Sequence, residues 1–376
     1  MCLFYFLFAF ISMTFAQTQF NCAKEFWPSV TPGDSGTIDD QCTLYPSYPI
    51  IINNINVTVV YTQEWAAAWE SDINVIAPTL FESLRDSIDF YDTFAVLPSK
   101  VVVILTAEDN YPYTAGTAFP IDKTPPCQIE TWKRWTDNSA TDVPRALQVL
   151  AHELYHCVQQ LSIGRAADGY TGPVWIMEGS AAYFSNLVFP TSNVEWPGPE
   201  YTYNPALPIY GQVGRDVYET ELFFQALEQS KGYVNIHNWV MANGLTTRLT
   251  DDEERTRLSQ LPGFTDNFFE FAKQFSLKLI LDTSGVYIPG LPDIPPVPTP
   301  LSLNADGSIG TATLKGNPFT IMVYEIDVSQ ILRVLFPLFE CLMSWCTFGF
   351  RHKVMSREFL NIQISLHLRA LFPLYL

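Results

Sequence analysis

Two of the chain's five histidines fall in the run Ala151-His152-Glu153-Leu154-Tyr155-His156. Residues four apart on an α-helix stand one turn apart on the same face, so both imidazoles can reach a single Zn2+. Glu153 lies between them in sequence and projects to the side, where a carboxylate can take a proton from a water that the metal acidifies. In a shuffled chain of this composition a His-Glu-x-x-His pattern is expected roughly 0.003 times, so the spacing is informative. A catalytic zinc needs a third protein ligand and an open fourth position. The third candidate is Glu178, in Trp175-Ile176-Met177-Glu178-Gly179-Ser180-Ala181-Ala182-Tyr183. Its neighbours are apolar or small, and a carboxylate buried there without a partner is costly. Small residues also let the second helix approach the first closely. Tyr155 and Met177 read as core, and Cys157 as a disulfide half or a small core residue.

The elements that must position these groups follow from periodicity. Asp142 reads as an N-cap, with Pro144 in the first turn. Leu147, Leu150, Ala151, Leu154, Val158 and Leu161 then repeat at helical spacing up to Gly164, a plausible stop. Upstream, Val57–Tyr61 reads as a short strand. Trp65–Tyr91 reads as helical, with a second helix starting at Pro78 and Leu80, Leu84, Ile88 and Tyr91 on one face. Val101–Leu105 is a continuous apolar run, expected as a strand buried on both faces. Tyr113–Phe119 is a thinner strand candidate that suits a sheet edge. Further helices are expected at Val174–Leu187, Val217–Ser230, Val234–Ala242 and Phe264–Leu281. Strands are expected at Thr311–Leu314 and Phe319–Tyr324.

His152-Glu153-x-x-His156 with Glu178 twenty-two residues beyond resembles the gluzincin zinc metallopeptidases. The Ala-His-Glu-Leu-Tyr-His and Trp-Ile-Met-Glu-Gly-Ser-Ala runs resemble their secreted microbial and fungal members. The resemblance covers the motif region and, more loosely, residues 57–281. It implies an α+β, zincin-like catalytic domain: a small mixed sheet with an edge strand, an active-site helix and a mostly helical C-terminal half, followed by a short β segment. It implies zinc held by His152, His156 and Glu178, and hydrolysis of peptide bonds through a zinc-activated water with Glu153 as general base. The metzincin pattern does not fit, because Gln159 and Ser162 stand where that group has Gly and His. Position 182 is Ala, so the acidic residue that thermolysin-like enzymes place there to orient a histidine is missing. No Gly-x-Met-Glu-Asn exopeptidase signature occurs, which favours an endopeptidase. The strand around Ala115-Gly116-Thr117-Ala118 is a candidate to pair with an extended substrate. Tyr210, Tyr218 and His237 are candidate oxyanion donors, Tyr218 the preferred one. The competing expectation is a catalytically inactive, secreted binding protein on the same fold.

The rest of the sequence bounds the setting. A formal charge of -18 in 376 residues repels phosphate backbones and offers no basic stripe to anionic lipid. The expected partner is a peptide or protein substrate, with no nucleic acid and no stable membrane association. Residues 1–16 read as a signal peptide ending in Thr14-Phe15-Ala16. Six cysteines follow it, an even count that suits disulfides in a secreted chain, with Cys22–Cys42 the local guess. Asn56-Val57-Thr58 is a glycosylation sequon. The expected organisation is an irregular segment at 17–50, a metallopeptidase domain at 51–285, a Pro-rich linker at 286–300, a partial β segment at 301–327 and an atypical basic, apolar tail at 328–376.

Overall fold

The computed structural model describes residues 19–21, 41–62, 67, 73–105, 116–120, 127–131, 142–164, 173–192, 203–212, 214–244, 249–294, 297–299, 318–321, 323–327 and 367–371. The described elements are α+β. In chain order they are β1 (Gln19–Asn21), β2 (Gln41–Ile52), β3 (Ile55–Thr62), α1 (Ile73–Tyr91), β4 (Lys100–Leu105), β5 (Gly116–Pro120), β6 (Cys127–Thr131), α2 (Asp142–Ile163) and α3 (Val174–Val188). Two 3-10 helices follow, Ile209–Gly211 and Gly214–Thr220. Then come α4 (Glu221–Lys231), α5 (Tyr233–Asn243), α6 (Asp251–Gln260), α7 (Phe264–Ser276), β7 (Val297–Thr299), β8 (Val323–Asp327) and β9 (His367–Leu371). The chain divides into two compact units. One holds residues 1–171, 184–194 and 237–246; the other holds 172–183, 195–236 and 247–376. The helix α3 is continuous and contributes residues to both.

The first unit is built on a six-stranded mixed sheet in the order β1-β2-β3-β4-β6-β5. Strands β3, β4 and β6 run parallel to one another, while β1, β2 and β5 are antiparallel to their neighbours. Val101–Leu105 are fully buried, as an apolar run at the centre of a sheet requires. The β2–β3 hairpin closes on Asn53 and Asn54 at φ 45° and 66°, a left-handed pair that asparagine tolerates. Strand β5, Gly116–Pro120, lies at one edge of the sheet; residues 113–115 of the expected strand lie outside the described residues.

Several boundaries differ from the expectation. Strands β1 and β2 pair within the sheet, inside the segment read as irregular. Its prolines hid them: Pro46 and Pro49 fall where the β2–β3 register shifts, between Tyr45 and Ile50, so they cost little pairing. Pro78 does not start a helix but lies inside α1. Its missing N–H forfeits one bond near the start, and the buried stripe Ala77, Leu80, Leu84, Ile88 and Tyr91 holds the helix together. Strand β6 was not expected at all, nor was α6. Residues Trp65 and Trp69 lie outside the described residues.

The second unit packs an aromatic core. Trp175 lies against Phe223, Phe224 and Phe264 at ring-centroid distances of 5.8, 6.2 and 6.1 Å. Phe319 packs on Phe264 and Phe268, at 5.1 and 5.6 Å. The expected helix from Val217 begins instead as a 3-10 turn, and α4 starts only at Glu221. The helix α7 stops at Ser276 because Lys278 adopts φ 55°, which ends the ladder five residues ahead of Leu281 with its isolated bridge to Tyr287. Within the Pro-rich stretch, β7 pairs with β8, and β9 from the tail pairs with β8 on the other side. The tail thus contributes a strand where no period was legible; its other residues, the Thr311–Leu314 strand and the leader lie outside the described residues.

Candidate metal centre

The helix α2 runs to the expected stop, where Gly164 takes φ 92°. Its buried face holds Leu150, Ala151, Leu154, Tyr155 and Val158, while Leu161 is exposed. Three contacts fix this helix within its unit. Tyr91 donates its hydroxyl to the Ala151 carbonyl at 3.1 Å, one residue before His152. Ser83 donates to the Leu147 carbonyl at 2.7 Å. A disulfide joins Cys157 to Cys127 at the start of β6, with the Cα atoms 5.5 Å apart. The disulfide role foreseen for Cys157 therefore holds; Cys22, the guessed partner of Cys42, lies outside the described residues.

His152 and His156 are both buried, as is Glu153. The two rings stand nearly perpendicular with centroids 4.6 Å apart. Their Nε2 atoms converge to 3.0 Å. Two nitrogens each about 2.0–2.1 Å from one tetrahedral ion stand about 3.3 Å apart, so the pair is already set at chelating separation. On its far side, His156 Nδ1 meets Gln159 Oε1 at 2.7 Å. An amide oxygen only accepts, so this contact suits the His156 tautomer protonated on Nδ1, with the Nε2 lone pair toward His152.

Glu178, on α3, completes the group. One ligand atom from each of His152, His156 and Glu178 lies within 4.8 Å of the others, and among the described residues no other such group of His, Cys, Asp or Glu occurs. Two imidazoles and a carboxylate are a donor set suited to zinc, and three protein ligands leave a position open. The residues present fit the ion.

The Glu178 turn of α3 is fixed by its neighbours in the second unit. Trp175 donates Nε1–H to Glu254 Oε1 at 3.1 Å, and Arg257 pairs with the same carboxylate at 2.6 Å. Thr220 donates its hydroxyl to the Trp175 carbonyl at 2.8 Å. Gly179 lies directly on Thr220: a Cβ at position 179 would sit 2.1 Å from Thr220 Oγ1 and 2.9 Å from its carbonyl carbon. The close approach that Gly179 permits is therefore to this 3-10 turn. Further along α3, Phe184 stacks on Tyr155 of α2 at 4.3 Å within the first unit.

The three oxyanion candidates fall in different surroundings. His237 is buried, with Phe94 edge-on at 4.9 Å and its Nδ1 hydrogen-bonded to the Tyr155 hydroxyl at 3.1 Å. Burial lowers its pKa to about 4, so it is a neutral ring within the core. Tyr210 packs beside Phe319. Tyr218, on the Gly214–Thr220 turn, is 37% exposed. Tyr155 and Met177 are buried, as expected. Gln159 was overlooked as a partner of His156, although its i+3 position on the same helix was legible.

No family model matches the chain, and no curated protein matches it. Among solved structures, the crystal structure of an aminopeptidase N family protein from Idiomarina loihiensis aligns over 65% of this chain and 47% of its own, at a TM-score of 0.39 and 12% identity. This chain spans about half the length of that protein.

Proposed function

We propose that the chain is a secreted zinc-dependent peptidase whose metal is held by His152, His156 and Glu178. The observation that carries this reading is the convergence of those three donors, with the buried carboxylate of Glu153 beside them on α2. Zinc bound there supplies Lewis acidity toward the scissile carbonyl and toward water. Glu153 takes a proton from the attacking water as its oxygen bonds to the carbonyl carbon. The same carboxylate then delivers that proton to the leaving amine as the C–N bond breaks, so water is added across the bond and nothing else is consumed. The edge position of β5 supports a role in binding extended peptide, since its outer backbone groups face away from β6. Tyr218, exposed on its turn, is the proposed oxyanion donor. Secretion is supported by the Cys127–Cys157 disulfide, which suits an oxidising compartment. Among the described residues no helix is long and apolar enough to cross a membrane.

Glu153→Gln tests the assignment. The variant keeps the size of the side chain and removes the base, so it should hold zinc as the parent does while peptide cleavage falls by about 10^2–10^4-fold. Parental turnover in a zinc-loaded Glu153→Gln protein would assign the base elsewhere.

A further inference from the structure

We propose that Gln159 is the positioning residue of the metal centre, acting through His156; the inference rests on the peptidase reading and deepens it. Its amide oxygen lies 2.7 Å from His156 Nδ1, and the side chain is completely buried three residues along the same helix. Because the oxygen can only accept, it selects the His156 tautomer protonated on Nδ1. That choice leaves the lone pair on Nε2, the atom that converges with His152 Nε2 at 3.0 Å. In the other tautomer the Nε2 proton would point at the ion and His156 would be lost as a ligand. Leaving an imidazole N–H without an acceptor at a buried position is costly, so rotation and tautomer are set together.

The position at which an acid would be sought is filled by Ala182, which has no polar side-chain atom. Gln159 thus gives His156 a neutral acceptor. A neutral acceptor raises the basicity of the ligating nitrogen less than a carboxylate does. The Gln159 side chain therefore sets both the orientation of His156 and a moderate affinity for zinc.

Two variants and two measurements test this. Gln159→Leu keeps the volume and removes the acceptor; Gln159→Glu restores it with charge. Zinc dissociation constants, measured by competition with a chromophoric chelator at one neutral pH, should weaken about 10–100-fold in Gln159→Leu and return to the parental value or tighter in Gln159→Glu. Nitrogen-15 NMR of metal-free parent should show His156 protonated on Nδ1, and Gln159→Leu should show mixed tautomers. Parental zinc affinity in Gln159→Leu, or equal weakening in both variants, overturns the proposal, because packing alone would then account for the residue. If Gln159→Leu does not fold, the His156 tautomer of the parent decides: a proton on Nε2 overturns the proposal. A parent that binds no zinc refutes the peptidase reading instead, and the tautomer still reports on Gln159.

Discussion

Burial takes the His237 ring out of water and leaves the Tyr155 hydroxyl as its hydrogen-bonding neighbour, so the imidazolium is disfavoured and the folded pKa drops from the ordinary 6.5 to about 4. The sign of the stability effect follows. Above about pH 6.5 the ring is neutral in both folded and unfolded chains and costs nothing. Between 6.5 and 4 the unfolded chain takes up a proton at this residue that the folded chain refuses, so stability falls as pH falls through that window. Glu228 works the other way. Burial, and then the Asp282 charge, raise its pKa from 4.5 to about 6, so the folded chain binds the extra proton between 4.5 and 6. Proton NMR separates the two: the His237 ring should stay neutral from pH 8 down to about 5, and a midpoint near 6.5 would contradict the buried placement. At this scale the sequence was most legible where chemistry is local. His152, Glu153 and His156 share one helical turn, so spacing alone brings them together. Gln159 shares that locality and was missed because a glutamine has no chemistry of its own to flag it. The Tyr155–His237 bond joins residues 82 apart, and no local pattern encodes such a contact.

Helices with a buried stripe were readable, and those held by other means were not. The helix α6 reads Asp251-Asp252-Glu253-Glu254-Arg255 and has no apolar face to betray it. It is held at its start by a capping box, in which the Thr250 backbone N–H donates to Glu253 Oε2 at 2.8 Å and Thr250 Oγ1 accepts from the Glu253 N–H. Its Thr-x-x-Glu signature was there to be found. The sheet order was not, since parallel pairing of β3, β4 and β6 depends on crossovers rather than on any strand's own residues. In α3 the sequence explains the element better than its purpose. Gly179 is required because the Thr220 turn occupies the space of a Cβ. Gly179→Ala should therefore destabilise the protein by about 1–3 kcal/mol through overpacking, despite the better helix propensity of alanine. The check is equilibrium unfolding in denaturant; a stability equal to or above the parent's would mean that the turn yields freely.

Over the whole chain, acidic balance and chemistry point the same way. A charge of -18 disfavours phosphate backbones as partners, and peptide is the substrate proposed for the donor set. The tail is where whole-chain reading was weakest. Its strand β9 depends on pairing with β8 some forty residues earlier, across the stretch with no period. The site, by contrast, draws on two helices close in sequence, which is why its three donors were legible in the sequence. The proposed peptidase chemistry stands or falls with these donors holding one zinc ion. Zinc K-edge X-ray absorption on the purified full chain, together with metal content, tests it most directly. The expected result is about one zinc per chain and a first shell of two imidazole nitrogens at about 2.0–2.1 Å with the remaining ligands oxygen, lost in His152→Ala/His156→Ala. Zinc retained in that double variant, or a shell containing sulfur, would contradict it.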